Sequence, residues 1–168
     1  MDAGMTESAR ERLSAIYEAF RQAKVDFVLN AIDDDVEFIS YSPIEVFPFL
    51  GHHRGKAAMA EVLKSGYAQF EFIAYQPVFT VCEGDDAAVI IFARFIQRKT
   101  GRSISTMIAH FLRFRNGRIV ELREFMDSFH TVKQLLGREL DLEEHCLASR
   151  SQFRPLRRHG GRPSRCTT

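Results

Sequence analysis

The dipeptide Asn116-Gly117 constrains the fold of this chain more than any other feature. Both residues accept the positive φ that a two-residue β-hairpin turn requires, and strand-like runs flank them on both sides. With such a turn and an unbroken ladder, His110 lies opposite Arg123. Because successive side chains alternate between the faces of a strand, one face of the hairpin is predicted to carry Thr106, Ile108, His110, Arg123, Phe125 and Asp127.

The opposite face of the same hairpin is also largely apolar. It is predicted to carry Met107, Ala109, Phe111, Val120, Leu122 and Met126, with Arg113 and Glu124 among them. A sheet with two apolar faces must cover both of them. We therefore expect one face to line a cavity and the other to form a homodimer, through Met107, Ala109, Phe111, Leu122 and Met126.

The rest of the chain predicts helices and strands in an order that defines the fold class. Apolar residues spaced three and four apart predict helices over residues 7–23, 26–32, 56–65 and 129–136. Strand-like runs occupy residues 36–41, 70–82 and 87–98. Helices segregated from consecutive antiparallel strands indicate an α+β fold. We expect a cone-shaped, curved antiparallel sheet wrapped around the N-terminal helices, with a cavity between them.

Length and charge divide the chain into three predicted parts. A chain of 168 residues with 45% hydrophobic content can bury one core. We expect a flexible segment at residues 1–6, one domain at residues 7–137 and a charged, disordered extension at residues 138–168. Residues 150–168 carry six arginines and no acidic residue or lysine, so the residues before them carry a net charge of −5. A mildly acidic domain does not suit nucleic acid. For the tail we favour a solvated appendage, with contact to nucleic acid or another acidic surface as the alternative.

Several classes of protein are disfavoured by what the sequence lacks. It has no run of about 18 apolar residues and no apolar N-terminal leader, so we expect a soluble, cytoplasmic protein without a membrane partner. The three cysteines have neither disulfide-framework nor zinc-ligand spacing. His52 and His53 have no third ligand at suitable spacing, so we expect no metal.

A long apolar loop between residues 42 and 55 is the remaining unusual feature. It contains Ile44, Phe47, Phe49 and Leu50 among prolines and glycines. Apolar side chains in such a loop either close one end of the core or line the mouth of a cavity. We favour the cavity mouth, because bulky apolar side chains are costly to leave in water.

These motifs together resemble a known superfamily. The run VDFVLNAIDDDVEFIS, the G-x-x-x-G before the third helix and the run FRNGRIVELREFMD resemble SnoaL-like polyketide cyclases, ketosteroid isomerases and limonene epoxide hydrolases. All three belong to the nuclear transport factor two-like superfamily. The resemblance covers about residues 7 to 137. It implies the cone fold, but this fold hosts many functions, including non-catalytic binding.

The resemblance to ketosteroid isomerases implies that this chain would need a different general base. Their general base is an Asp near the end of the first strand, where this chain has Ser40, which cannot abstract a carbon-bound proton unaided. Their oxyanion Tyr is matched by Tyr17, and the Asp that assists it is matched by His110. Both are hydrogen-bond donors able to stabilise an enolate oxygen.

The other two enzyme classes give contrasting matches. Epoxide hydrolases of this fold use an Asp-Arg-Asp triad, but here Ile91 and Ala93 occupy the cavity positions and Arg94 is predicted to point outward, so epoxide hydrolysis is disfavoured. SnoaL-like cyclases use an Asp near the end of the last strand with a His nearby. That pattern fits Asp127 and His110.

The leading hypothesis is a cofactor-independent isomerase, cyclase or lyase acting on a small apolar carbonyl compound of polyketide or steroid type. Asp127 would move the proton while His110 and Tyr17 polarise the oxygen, which requires Asp127 and His110 to face one cavity. The predicted substrate-binding residues are Arg123, Phe125, Ile108, Thr106, Phe95, Ala93, Ile91, Ser40, Phe38, Tyr41, Phe47 and Phe49.

Each catalytic candidate also has a purely structural interpretation. Asp127 can cap the terminal helix, His110 can be a satisfied core histidine, and Tyr17 can pack in the core. Arg123 can bind a carboxylate substrate or pair with Glu121. The rival hypothesis is therefore a non-catalytic ligand-binding or dimerisation module of the same fold.

Overall fold

The computed structural model describes residues 3–138, and the predictions for the C-terminal extension from residue 139 onward lie outside the described residues. Four helices are present: α1 (Ala3–Arg21), α2 (Val25–Asn30), α3 (Lys56–Gln69) and α4 (Ser128–Leu136). Six strands accompany them: β1 (Ile32–Ser40), β2 (His52–Arg54), β3 (Phe70–Glu83), β4 (Asp86–Gln97), β5 (Ser103–Arg115) and β6 (Arg118–Met126).

All six strands form one sheet in the order β2-β1-β6-β5-β4-β3. Neighbouring strands are antiparallel except β1 and β6, which pair in parallel. Helix α1 packs against β3, and α3 packs against β1 and β3. The predicted α+β fold, a curved sheet with N-terminal helices on one face, is confirmed.

Two of the predicted helix features agree with the structure, the buried stripe of α1 and the end of α4, whereas most of the other helix ends differ by one to four residues. The apolar stripe of α1 is buried at Leu13, Ile16 and Tyr17, as its spacing predicts. Helix α4 ends at Gly137, whose left-handed conformation (φ 66°) suits glycine. The predicted end of the third helix at residue 65, where Gly66 was expected to stop it, is wrong. The helix continues to Gln69, and Gly66 is buried where the ring of Phe49 lies over it.

The predicted hairpin turn is confirmed, but the predicted register beyond it is wrong. Asn116 and Gly117 have φ of 51° and 74°, and Arg115 pairs with Arg118 as expected. The ladder then shifts, so that Phe114 pairs with Ile119 but Arg113 pairs with Glu121. Val120 is therefore an extra residue on β6, which forms a β-bulge.

This bulge exchanges the two faces of β6 relative to β5. His110 lies opposite Glu124, not Arg123, and Ala109 lies opposite Phe125. A shift of one residue turns every later side chain to the other face. As a result, Leu122, Glu124 and Met126 line the interior, and Arg123 and Phe125 are exposed on the outer face.

Candidate functional site

An internal cavity of about 140 Å³ lies between the helices and the inner face of the sheet. Its wall is mainly aliphatic and aromatic, with His110, Glu124 and three tyrosines as its ionisable side chains among the described residues. Phe47 and Phe49 of the loop after β1 contribute to this wall, which agrees with a position at the cavity mouth. A pocket with an apolar wall and few convergent polar groups is typical of a small-molecule site.

The polar centre of the cavity wall is a single row of paired residues across the sheet. Val89 of β4 pairs with His110 of β5, His110 pairs with Glu124 of β6, and Glu124 pairs with Ser40 of β1. His110 Nε2 lies 3.2 Å from Glu124 Oε2, and both side chains are nearly inaccessible to solvent. The sheet register thus joins an imidazole to a carboxylate inside the core.

Two tyrosines, whose rings also contact each other, approach the two nitrogens of the imidazole. The hydroxyl of Tyr17, on α1, lies 3.1 Å from His110 Nδ1. The hydroxyl of Tyr75, on β3, lies 3.4 Å from His110 Nε2. The rings of both tyrosines also contact the imidazole ring, with centroids 5.7 and 6.3 Å away. His110 is therefore held in one orientation by partners from α1, β3 and β6.

The carboxylate has a second anchor. Ser40 donates its hydroxyl proton to Glu124 Oε1 at 2.8 Å, and Ser42 Oγ lies 2.9 Å from Ser40 Oγ. Each oxygen of Glu124 therefore has one protein partner, the imidazole on Oε2 and the serine on Oε1. A carboxylate offers about four acceptor positions, so positions remain for a ligand or a proton.

The electrostatics of the site keep both tyrosines protonated. Burial raises the pKa of Tyr17 and of Tyr75 above the ordinary value, and the neighbouring Glu124 charge adds to the increase. A low-dielectric surrounding disfavours the phenolate, and a nearby negative charge disfavours it further. At neutral pH the two tyrosines are therefore hydrogen-bond donors and not bases.

The structure brings some of the predicted site residues together. His110 and Tyr17 both line the cavity and contact each other, and Ser40 hydrogen-bonds Glu124 without lining the cavity itself. Ile91 and Ala93 are fully buried on the inner face, and Arg94 is exposed as predicted. Thr106 is buried and hydrogen-bonds Thr131. The predicted substrate-binding residues that line the cavity itself are Phe38, Phe47, Phe49, Phe95 and Ile108.

The other predicted site residues lie outside the cavity. Asp127 is exposed and caps α4, accepting a hydrogen bond from the His130 amide at 3.1 Å. Arg123 is on the outer face and pairs with Glu121, which was one of its two predicted interpretations. Phe125 and Tyr41 are exposed and stack on each other, with centroids 4.4 Å apart. The prediction that these residues face the cavity with His110 is wrong, because the β6 bulge turns Arg123 and Phe125 outward and Asp127 follows the end of the strand.

Sequence reasoning missed two residues of the site, Glu124 and Tyr75. The predicted register, which had no bulge, placed Glu124 on the outer face. Leu122 and Met126 lie two positions away on the same side of the strand, and an acidic residue between two apolar ones was a signal of a special role. Tyr75 lies in β3, where register shifts break the alternation, so that Ala74 and Tyr75 are both buried. Two adjacent buried residues cannot be found from a period of two.

Two absences in the described part of the chain concern metals and membranes. Among the side chains described for residues 10–138, no group of three or more His, Cys, Asp or Glu is arranged to hold a metal ion. None of the described helices combines the length and the apolar character that a membrane crossing requires.

Comparison with known proteins gives the class of the chain. Residues 13–122 match the family described as the SnoaL-like domain. The chain therefore belongs to the SnoaL-like family. No match was found among curated proteins.

Solved structures agree with this assignment. A protein from Rhodopseudomonas palustris, named only as a proposed isomerase, is 33% identical with a TM-score of 0.70, over 77% of this chain and 97% of the other. An NTF2-like protein from Burkholderia xenovorans is 22% identical with a TM-score of 0.65, over 77% and 96% of the two chains. An epoxide hydrolase from M. tuberculosis is 17% identical with a TM-score of 0.65, over 86% and 98%. The last two likenesses concern the fold alone.

Proposed function

We propose that this protein binds a small apolar carbonyl compound in its cavity and catalyses a proton transfer on it, as an isomerase, cyclase or lyase without a cofactor. The observation that carries the proposal is the buried His110–Glu124 pair at the wall of an apolar cavity. Acid/base chemistry at a carbon next to a carbonyl needs a positioned base in a site that excludes water.

In this proposal Glu124 takes the role that the sequence suggested for Asp127. The carboxylate removes a proton from the carbon next to the carbonyl. The C–H electron pair moves into the new C=C bond, and the carbonyl π electrons move onto the oxygen, which becomes an enolate. The proton then returns from Glu124 to the same or another carbon of the substrate. His110 holds the carboxylate in place through Nε2, and Tyr17 orients His110 through Nδ1.

Hydrogen–deuterium exchange tests this proton transfer without a known substrate. Small cyclic ketones are incubated with the protein in D2O, and loss of the α-proton signal is followed by NMR. We expect exchange above the buffer rate, and Glu124→Gln should reduce it by about 100-fold or more, since a positioned base contributes at least that factor. Glu121→Gln is the matched control, because Glu121 lies on the same strand but pairs with Arg123 on the outer face.

A non-catalytic binding module is the alternative that one observation favours. Every fully buried side-chain nitrogen and oxygen in residues 10–138, whose side chains the structure describes, has a hydrogen-bond partner, as expected of a structural polar network. Ketones that bind but show no protein-dependent exchange, with or without Glu124, would support this alternative over the enzyme.

We also propose that the outer face of the sheet forms a homodimer. The corrected register places an apolar row across four strands, because Phe79 pairs with Ile90, Ile90 with Ala109 and Ala109 with Phe125. Met107 and Phe111 extend this row and are 44% and 50% exposed. Of the five residues predicted for this contact, Leu122 and Met126 line the cavity instead. A symmetric dimer can bury one such patch against its own copy.

Analytical ultracentrifugation of two matched variants tests the dimer. Phe111 on the outer face and Phe27 on α2 are equally exposed, at 50%. We expect wild type and Phe27→Glu to sediment as dimers at micromolar concentration and Phe111→Glu as a monomer, because the glutamate would place a charge in the apolar contact. A monomeric wild type would contradict the proposal.

A further inference from the structure

We infer that the cavity is built for a single-ring molecule that has no negative charge and carries one hydrogen-bond-accepting oxygen, and that the Tyr75 hydroxyl binds this oxygen. The inference rests on the proposed function, since it takes the cavity as the ligand site. It goes further by naming the size and charge of the ligand and the residue that recognises its polar atom.

The volume of the cavity sets the size of the ligand. An apolar protein cavity of about 150 Å³ accommodates one benzene molecule. The cavity of about 140 Å³ described above is of that size. A four-ring steroid or polyketide needs several times this volume, so the cavity in this form excludes it. One six-membered ring with few substituents fits.

The composition of the wall sets the charge of the ligand. Among the described lining residues there is no lysine or arginine, and the acidic member is Glu124, which already has two partners. An anionic ligand would lose its hydration without gaining a counter-ion here. The remaining wall, with residues such as Leu13, Ile108 and Phe95, suits an apolar ring.

The protons of the polar network determine which group can donate to the ligand. Glu124 Oε2 accepts a hydrogen bond from His110 when Nε2 carries the proton, and Nδ1 then accepts from the Tyr17 hydroxyl. If His110 Nε2 instead accepted a hydrogen bond from Tyr75, the Nε2 lone pair would also face the Glu124 carboxylate, and the two acceptors would repel each other. The tautomer with the proton on Nε2 therefore satisfies His110, Tyr17 and Glu124 together.

This arrangement leaves the Tyr75 proton available to a ligand. Tyr75 Oη lies 3.4 Å from His110 Nε2, which acts as a donor, so the Tyr75 oxygen can only accept there. Tyr67, the third tyrosine of the wall, donates to the Phe20 carbonyl at 2.7 Å. Among the described tyrosine hydroxyls of the cavity, Tyr75 is thus the one whose proton has no protein acceptor. A carbonyl or ether oxygen on the bound ring would accept it.

Binding of two matched probes tests this assignment. Cyclohexanone and methylenecyclohexane have nearly the same shape, but only cyclohexanone has an acceptor oxygen. Calorimetric titration of the full chain should show that Tyr75→Phe weakens cyclohexanone binding by about three- to tenfold, the effect of one neutral hydrogen bond. Binding of methylenecyclohexane should change by less than about twofold, which also shows that the cavity is intact.

Three further measurements complete the test. Tyr41→Phe, a change of the same type at an exposed tyrosine stacked on Phe125, should leave the binding of both probes unchanged. Cyclohexanecarboxylate at pH 7 should bind at least about tenfold more weakly than cyclohexanone, because its charge is not matched. A four-ring steroid ketone should not bind.

The inference is overturned if Tyr75→Phe affects both probes equally or neither, if the steroid ketone binds more tightly than cyclohexanone, or if cyclohexanone does not bind up to its solubility. These outcomes are separate from failure of the proposed function. Binding with the expected selectivity but without Glu124-dependent exchange refutes the proton transfer and leaves the inference standing. Glu124-dependent exchange that is insensitive to Tyr75→Phe, or that occurs only with larger ketones, refutes the inference and leaves the proton transfer standing.

Discussion

The two faces of the sheet are formed by the same strands, but ionisable side chains are buried on one face and exposed on the other. On the inner face, His110 and Glu124 are buried and contact each other. On the outer face, Arg113 pairs with Asp86, and Arg123 pairs with Glu121, beside exposed apolar side chains. Exposed ion pairs contribute little to stability, whereas a buried polar group is costly when it loses its partner. The same residue types thus stabilise the surface on one face and form a candidate site on the other.

Adjacent isoleucines of β4 give the largest expected contrast between the faces. Ile91 is 0% exposed on the inner face, and Ile90 is 38% exposed on the outer face. We expect Ile91→Ala to lower the free energy of unfolding by about 2–5 kcal/mol through lost burial and a new cavity. Ile90→Ala should cost less than about 1 kcal/mol when both substitutions are made in the monomeric Phe111→Glu background, which removes the contribution of the proposed dimer. Urea denaturation of both variants measures the difference, and equal losses would contradict the assignment of faces.

Two glutamates of β6 give the next contrast. Glu124→Ala removes the acceptor of both the His110 Nε2 proton and the Ser40 hydroxyl. We expect a loss of about 1–3 kcal/mol, because two buried donors lose a charged acceptor and retain only the neutral oxygens of Tyr75 and Ser42. Glu121→Ala on the outer face should change stability by about 0.5 kcal/mol or less. Thermal and urea unfolding of the two variants should separate them clearly. Similar values would show that Glu124 is not buried as described.

Asp127, just beyond the end of β6, gives the smallest expected effect. Its carboxylate caps α4, so Asp127→Ala should cost about 1 kcal/mol, and Asp127→Asn should cost less, since Asn also caps helices well. Neither variant should reduce α-proton exchange of a ketone. If Asp127→Asn abolished exchange in a folded protein, the original assignment of Asp127 as the base would be restored and Glu124 would lose that role.

The sequence was sufficient for the fold because its strongest signals are local. Asn116-Gly117 specifies the turn, the spacing of Leu13, Ile16 and Tyr17 specifies the buried face of α1, and Gly137 ends α4. Each of these features acts within a few residues. His110 and Tyr17 were also found, because the family resemblance points to those positions.

The rest of the site depends on an interaction that leaves no local signal. Val120 is a good strand residue, so nothing in its neighbourhood marks it as a bulge. The shift arises where β6 also pairs with β1, whose own register is irregular between Ile32 and Glu37. Pairing between strands distant in sequence thus decided whether Arg123 or Glu124 faces His110. A prediction from alternation alone could not resolve this, since both choices alternate equally well.

The last residue of β1 and the first residue of the loop after it contact β6 on the two faces of the sheet. Ser40 holds Glu124 on the inside, Tyr41 stacks on Phe125 on the outside, and the Tyr41 amide donates to the Glu124 carbonyl at 2.9 Å. The same loop carries Phe47 and Phe49 over the cavity. A displacement of this loop that reaches back to Ser40 would therefore change the hydrogen bonding of the carboxylate. Entry of a ligand past Phe47 and Phe49 and the hydrogen bonding of the carboxylate that meets it therefore depend on one short segment of chain.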